Sequence, residues 1–269
     1  MRHATLAVGA ALIGLIVAMA LLAAVWTPFP PDAVVGPGLQ PPGGDHLLGT
    51  DGLGGDIASR LLSGAKICLL VGIVSVAAAA AVGVPLGILA GMNRGWVGEL
   101  PARLADILYG FPALLLAILF AAALGGSTWT AMMAIALASV PAFVRIARAA
   151  TLQVMSQGYV EAARLSGTPH LAVAWRHVLP NIAPAVGVQT SVSIGIAILA
   201  EAGLSYLGLG SGPESPTWGR MLREAQNYIF SEPQLALWPG LAIAVATLGF
   251  NLLGDGLRDL LDPRLREIR

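Results

Sequence analysis

Acidic and histidine side chains between residues 45 and 56 are the first candidates for chemistry in this otherwise apolar chain. The stretch contains one histidine and three aspartates: Asp45, His46, Asp51 and Asp56. These ligand types can bind a transition metal, so a metal site is one interpretation. Carboxylates in such turn-rich stretches more often cap helices or form the turns themselves. We therefore predict no metal site here and keep metal binding as the alternative.

Nucleophiles and bases are the next requirement for an enzyme. Serines occur within the apolar segments, but no apolar segment contains a histidine that could serve as their base. His170 and His177 lie seven residues apart and can share a helix face, but no third zinc ligand is close in sequence. The chain has no GxxxxGK[ST] loop, and Lys66 is its only lysine. We predict no catalytic residues, and ATP hydrolysis by a phosphate-binding loop in this chain is excluded.

The composition indicates that these side chains are positioned by membrane helices. Of 269 residues, 56% are hydrophobic and 11% are charged, whereas soluble proteins average about 25% charged. The formal net charge is zero, so no global basic field attracts nucleic acid. Six segments are apolar over roughly the 20 residues that a bilayer requires: 6–26, 67–91, 104–125, 129–146, 182–209 and 237–257. A cleaved signal peptide is the alternative for the first segment.

Orientation follows from the distribution of basic residues. With six spans and an inner N-terminus, 11 of the 15 Lys and Arg residues fall on the inner side. The positive-inside rule then places both termini in the cytoplasm. Pro112 and Pro141 are expected to kink the third and fourth spans.

A polar loop, 153–181, separates the fourth and fifth spans on the predicted cytoplasmic side. Tyr159 to Ser166 are good helix formers, and Gly167 and Pro169 end that helix. A second short helix, 170–177, is expected to stop at Pro180. Helices this short need a packing partner. That partner could be the protein's own helix ends or another subunit, and the pattern alone leaves both open.

Two carboxylates lie inside or next to apolar segments, where ionisable residues usually mark a protein interior or a watery path. Glu201, with Ser205 one turn later, is a candidate for a gate or a path residue. The alternative is a structural carboxylate near the outer interface. Asp106 is interpreted as a charge at the inner end of the third span.

The polar loop carries a recognisable pattern. Glu161-Ala162-Ala163, then Gly167, then Leu179-Pro180 resembles the EAA loop of permease subunits in bacterial ATP-binding cassette importers. In that family the loop forms a coupling helix that docks on a cytoplasmic ATPase subunit. The resemblance assigns coupling to Tyr159, Glu161, Ala162, Ala163, Arg164 and Gly167.

Two outer stretches resemble the C-type permeases of dipeptide, oligopeptide and nickel importers. One runs from His46 through Gly49, Thr50, Asp51, Asp56 and Arg60; that family often has Arg where this chain has Gly55. The other begins at Glu201 and continues through Pro213 to Trp218. By resemblance, the outer signature, assigned to Gly49, Thr50, Asp51, Asp56, Arg60 and Trp218, could contact a binding protein. Trp218 and its apolar neighbours are also expected to lie at the membrane interface.

The resemblance implies an all-α polytopic protein of the bacterial inner membrane with the type I importer permease fold. Residues 1–66 would form the first span and an outer segment, 67–257 the transporter core and 258–269 a cytoplasmic tail. The implied partners are two ATP-binding subunits, a homologous B-type permease and an extracytoplasmic solute-binding protein. The chain itself would need no cofactor, because ATP and Mg²⁺ bind the ATPase subunits. The alternative function is a stand-alone secondary transporter or channel.

Overall fold

Helices form almost the whole molecule in the computed structural model, which describes residues 2–210, 212 and 215–261. No strand occurs within these residues; only two isolated bridges do, Gly43 with His46 and Thr50 with Asp56. The ten α-helices are α1 Arg2–Val25, α2 Ile57–Met92, α3 Trp96–Tyr109, α4 Ala113–Leu124, α5 Thr128–Met155, α6 Gly158–Leu165, α7 His170–Val173, α8 Leu179–Tyr206, α9 Trp218–Ala225 and α10 Gln234–Leu261.

Five helices are long and apolar enough to cross a bilayer, and there are six spans if a bent helix pair is counted as one span. The five are α1, α2, α5, α10 and the helix that runs from His170 to Tyr206. The pair is α3 and α4, whose axes meet at 86°. The predicted all-α polytopic architecture is confirmed, with the third span broken rather than continuous.

The break between α3 and α4 falls at Gly110, Phe111 and Pro112. The N–H of Gly110 still donates to the carbonyl of Asp106 at 3.2 Å, which closes α3. Pro112 has no N–H and disfavours helical geometry at Phe111, which favours a break at this point. Proline alone does not end a helix, because α5 continues through Pro141. Pro112 lies where the sequence predicts a kink, although the span is interrupted there rather than kinked.

Helix α2 crosses α5 at very short range because glycine recurs every fourth residue along its inner half. A Cβ on Gly87 would approach the Ala147 Cβ to 2.6 Å, and one on Gly91 would approach the Thr151 Cβ equally closely. Gly83 stands in the same relation to the Phe143 Cβ, at 2.6 Å. Such small-residue spacing lets two backbones approach in lipid, where packing replaces the hydrophobic effect as the driving force.

Helix α1 packs against α10 by the same principle. A Cβ on Gly9 would meet the Leu253 backbone nitrogen at 2.6 Å, and one on Gly256 would meet the Leu6 Cβ at 2.8 Å. The first span is thus part of the same helical assembly.

Two helix boundaries bear on the predicted domain divisions. Helix α2 begins at Ile57, ten residues before the predicted second span, so the predicted division at residue 66 falls inside α2. At the other end, α10 extends to Leu261, and the remainder of the predicted tail, 262–269, lies outside the described residues.

Candidate functional site

The inner loop begins with α6, which is anchored by one side chain and ended by one glycine. Val160 is fully buried in the core beside α5 and α7. Gly167 has φ +80°, its N–H donates to the Arg164 carbonyl at 3.0 Å, and the Thr168 N–H donates to the Ala163 carbonyl at 3.1 Å. This is the Schellman motif, which favours glycine at the left-handed position. The predicted bend at Gly167 is confirmed.

Apart from Val160, most side chains of α6 are exposed. Glu161, Ala162 and Arg164 are exposed, Ala163 is half-buried, and Tyr159 lies with its ring 6.0 Å from the ring of His177. Three large apolar side chains are also exposed: Leu165 at 84%, Leu171 at 70% and Trp175 at 63%. We call these three residues the loop apolar patch.

The helical structure that begins at His170 does not stop at Pro180, contrary to the sequence-based expectation. A π turn, Ala174–Val178, joins α7 to α8, so that helical structure runs unbroken from His170 to Tyr206. The N–H of Leu179 donates to the carbonyl of Ala174, which is the i to i−5 spacing of a π turn. Pro180 follows this wide turn at the start of α8, where proline is tolerated.

On the outer side, Asp56 caps the N-terminus of α2. Its Oδ2 accepts from the Ser59 N–H at 2.8 Å and the Ser59 hydroxyl at 2.7 Å, and its Oδ1 lies 2.9 Å from His46 Nδ1. His46 and Asp56 are both buried. Thr50 is buried too, and its hydroxyl donates to the Pro37 carbonyl at 2.8 Å. These residues tie the outer segment to the first turn of α2, as the capping interpretation predicts.

Asp51 and Arg60 form the centre of a second outer network. The Asp51 Oδ1 accepts from the Gly55 N–H at 2.9 Å, and its other oxygen accepts from Arg60. The Arg60 Nη2 lies 2.8 Å from Glu224 of α9. A Cβ on Gly55 would lie 2.7 Å from the Asp51 Oδ2, so a larger residue here would require the Asp51 side chain to shift.

Trp218 is not an interfacial side chain, which corrects the sequence-based expectation. It is 1% exposed, and its indole Nε1 donates to the Leu61 carbonyl of α2 at 2.9 Å. Gly64 of α2 contacts the indole ring so closely that a Cβ would overlap it. Met221 is buried as well. The interfacial prediction rested on the residue type alone. The available signal for a bulky partner was Gly64, which lies one turn after Leu61 in α2.

Glu201 and Ser205 lie together in α8. The Ser205 hydroxyl donates to the Glu201 Oε1 at 2.6 Å, and Glu201 is 2% exposed. Ser205 lines an outer cavity of about 550 Å³ between α8 and α9, but Glu201 lines none of the described cavities. The geometry gives Glu201 a hydrogen-bonded place within the protein.

A second cavity of about 550 Å³ lies between the α3–α4 break, α5 and α8. Arg145, Tyr109, Ser139, Gln189 and Ser193 supply its polar lining. We call it the central cavity. Most of its other lining residues are apolar.

Asp106 pairs with Arg145 at the edge of the central cavity. The Arg145 Nη2 and Nε donate to the Asp106 Oδ1 at 2.7 and 3.1 Å, and the guanidinium carbon lies 4.0 Å from the centre of the Tyr109 ring. Asp106 lies in the last turn of α3, as an end-of-helix charge would, and the structure adds a basic partner that the sequence-based interpretation did not include. Arg145 lies about three turns before the end of α5, inside the span. Sequence analysis missed this pair because its members are far apart along the chain.

No group of three His, Cys, Asp or Glu side chains within the described residues is arranged to hold a metal ion. His46, Asp51 and Asp56 are engaged in the capping and turn contacts above.

Membrane-crossing helices around a cavity, with a long polar loop between two of them, define a polytopic membrane transport subunit. Residues 83–267 match the family described as binding-protein-dependent transport system inner membrane component. The chain belongs to this family, and it is a multi-pass permease subunit of an ATP-binding cassette importer of the bacterial inner membrane.

Curated relatives support the same assignment. The chain is 44% identical over 225 residues to the glutathione transport system permease protein GsiD of Pectobacterium atrosepticum, covering 84% of this chain and 75% of the relative. It is 40% identical over 228 residues to the dipeptide transport system permease protein DppC of Alkalihalophilus pseudofirmus, covering 85% of this chain and 75% of the relative.

A solved structure gives the fold independently. A chain in the inward-facing MetNI methionine ABC transporter superposes with a TM-score of 0.63 at 16% sequence identity. The match covers 76% of this chain and 97% of that chain. At this identity the likeness concerns the fold only.

Proposed function

We propose that this chain is the C-type permease of a peptide importer and that its inner loop couples the spans to an ATPase. The observation that carries the coupling role is the combination of a buried anchor, Val160, with the exposed loop apolar patch. Apolar patches rimmed by polar residues commonly mark protein interfaces. The names of the curated relatives, which transport glutathione or dipeptides, support a peptide as the solute.

Coupling in this proposal is mechanical. An ATPase subunit would hold α6 through Tyr159, Glu161, Ala162, Ala163 and Arg164, with Gly167 setting the angle to the next helix. Small side chains at 162 and 163 would allow a partner backbone to approach closely. Closure of the ATPase dimer on ATP would then move α6 and shift the spans between two arrangements, with nucleotide supplying the bias.

Importers of this class work with ATPase and binding-protein partners. For this chain we propose two ATP-binding subunits, one homologous B-type permease and one extracytoplasmic solute-binding protein. ATP and Mg²⁺ would bind the ATPase subunits, so this chain would need no cofactor of its own. Both termini would be cytoplasmic, in keeping with the distribution of basic residues.

Contact with the binding protein is proposed for the outer segment. Thr50, Asp51, Asp56, Arg60 and Trp218 are buried, so they would act by shaping the surface rather than by touching the partner. The side chains available for contact are exposed neighbours such as Leu47 at 68% and Leu53 at 69%.

Co-expression tests the proposal. The chain is produced with its candidate ATPase, second permease and binding protein, purified in detergent and reconstituted in liposomes. We expect a stable complex whose ATP hydrolysis rises when loaded binding protein is added, with uptake that requires ATP. Uptake by this chain alone, with no gain from ATP, would instead favour the stand-alone transporter.

A direct ligand-binding assay on the binding protein identifies the solute. Binding of di- or tripeptides supports a peptide importer. Selective binding of a nickel complex would replace the peptide with a metal as the transported solute and leave the permease assignment in place.

A further inference from the structure

We propose that the Arg145–Asp106 pair is an exchangeable binding site in the central cavity for a zwitterionic solute. Arg145 would take the solute carboxylate and Asp106 its ammonium group. The inference rests on the proposed function, since it assumes that the central cavity is part of the path.

The location of the pair favours a functional role. Asp106 and Arg145 lie near the predicted inner ends of the third and fourth spans, and ionisable residues in such segments commonly mark solute paths. Arg145 lines the central cavity, and its side chain is 48% exposed while that of Asp106 is 60% exposed. Arg145 thus presents its charged group to the cavity, and Asp106, which does not line the cavity, is exposed beside it; the side chains of the Arg60–Asp51 pair, in contrast, are only 10% and 13% exposed.

The hydrogen-bond geometry leaves the pair easy to open. Arg145 donates two hydrogen bonds, but both go to the single oxygen Oδ1 of Asp106. An arginine and a carboxylate pair most strongly when two parallel bonds reach two oxygens. Within the described residues, Nη1 of Arg145 has no acceptor, so a solute carboxylate can bind there before Asp106 is displaced.

The remaining lining fits a small peptide. Tyr109 lies against one face of the guanidinium, which holds Arg145 in place when Asp106 is displaced. Ser139, Gln189 and Ser193 offer hydroxyl and amide groups across a cavity of about 550 Å³. The other lining residues are mostly apolar and make no demand on side-chain identity. A site that binds only the terminal ammonium and carboxylate groups of a peptide suits an importer whose solutes vary in side chain.

Thiol protection tests the site directly. A Ser139→Cys reporter in a Cys68→Ala background is reconstituted with the subunits that co-purify with it, and alkylation is timed. Three probes are added at millimolar concentration: alanyl-alanine, its C-terminal amide and its N-acetyl form. We expect alanyl-alanine to slow alkylation about tenfold more than either blocked form, the effect of one charge-assisted hydrogen bond.

Variants assign each charge. In Arg145→Gln, the free peptide and its amide should protect equally against alkylation. In Asp106→Asn, the free peptide and its N-acetyl form should protect equally. Arg145→Lys, which keeps the charge but loses the fork, should give an intermediate preference and replaces Arg145→Gln if that variant does not insert. Arg103→Gln and Glu99→Gln alter an exposed pair outside the cavity lining, with side chains 74% and 54% exposed, and should change nothing.

Equal protection by all three probes, or no protection, overturns the inference, as does discrimination that survives in Arg145→Gln. The assay needs neither ATP nor binding protein, so its result is separate from that of the co-expression test. A complex that couples ATP to uptake but shows no probe preference would refute this site and leave the proposed function standing.

Discussion

Gly87 of α2 lies against Ala147 of α5 so closely that a Cβ on the glycine would stand 2.6 Å from the alanine Cβ. Its neighbours Gly83 and Gly91 make equivalent approaches one turn away on either side. The three glycines therefore set the distance between two spans that both bound the core of the molecule.

Replacing Gly87 with alanine is expected to destabilise the folded protein. The new methyl group would overlap the Ala147 Cβ and the Val144 carbonyl, and overpacking of this kind costs about 1–3 kcal/mol. Thermal unfolding of the purified protein in detergent measures the effect. Gly187→Ala in α8 is the matched control, because nothing lies within 4 Å of a Cβ there. Equal melting temperatures for the two variants would contradict the packing role of Gly87.

The outer Arg60–Asp51 network is expected to be much more important for stability than an exposed ion pair. Asp51→Asn removes one of the two carboxylate partners of the buried Arg60, and Glu224 remains, so the cost should lie below the about 3–5 kcal/mol of leaving a buried charge unpaired but above that of an exposed pair. Glu99→Gln, which breaks the exposed pair with Arg103, should cost about 0–1 kcal/mol. Protease resistance of the outer segment, assayed beside thermal unfolding, reports whether the loss is local. Unchanged stability in Asp51→Asn would show that the network does not stabilise the outer segment.

An acidic substitution in the loop apolar patch is expected to impair the coupling of ATP hydrolysis to uptake without impairing folding. Leu165→Asp changes a residue that is 84% exposed, so membrane insertion and melting should hardly change. In the assembled importer, ATP hydrolysis should no longer follow the addition of loaded binding protein, and uptake should fall about tenfold or more if one apolar contact of ~1.5–3 kcal/mol is lost. Gln157→Asp, at the start of the same helix, is the control, because it introduces the same charge without removing an apolar side chain.

Normal coupled uptake in Leu165→Asp would contradict docking through the loop apolar patch. Ala163→Asp and a bulky replacement of Gly167 extend the test to the EAA pattern itself. A Cβ on Gly167 meets no atom within 4 Å, so a defect there would arise from the left-handed backbone or from a partner and not from a clash within the chain.

The sequence predicts those features that depend on local chemistry. Apolar length indicates the spans, Gly167 indicates the bend of the inner loop, and Pro112 indicates a kink in the third span where the structure has a full break. Each depends on residues adjacent in sequence, where backbone geometry and bilayer thickness decide the outcome.

The features that the sequence does not predict depend on contacts between distant residues. Tryptophan is a residue type that is common at membrane interfaces. Trp218 is buried instead, because Gly64, far away in sequence, leaves space for its indole ring. Asp106 and Arg145 are separated by 39 residues and become a pair only when α3 packs beside α5. The uninterrupted helix through Pro180 depends on a π turn, whose wider hydrogen-bond spacing has no clear signature in composition.

The π turn at Ala174–Val178 gives the molecule one rod of 37 residues, from the inner loop to the outer cavity. At about 1.5 Å per residue the rod is ~55 Å long, more than the thickness of the hydrocarbon core. In the proposed mechanism such a rod would act as a lever that carries a tilt imposed at His170 to Ser205 at its far end, and the π turn and Pro184 would be the points at which it bends. A pull from the cytoplasm and the opening of the periplasmic mouth would then be a single movement.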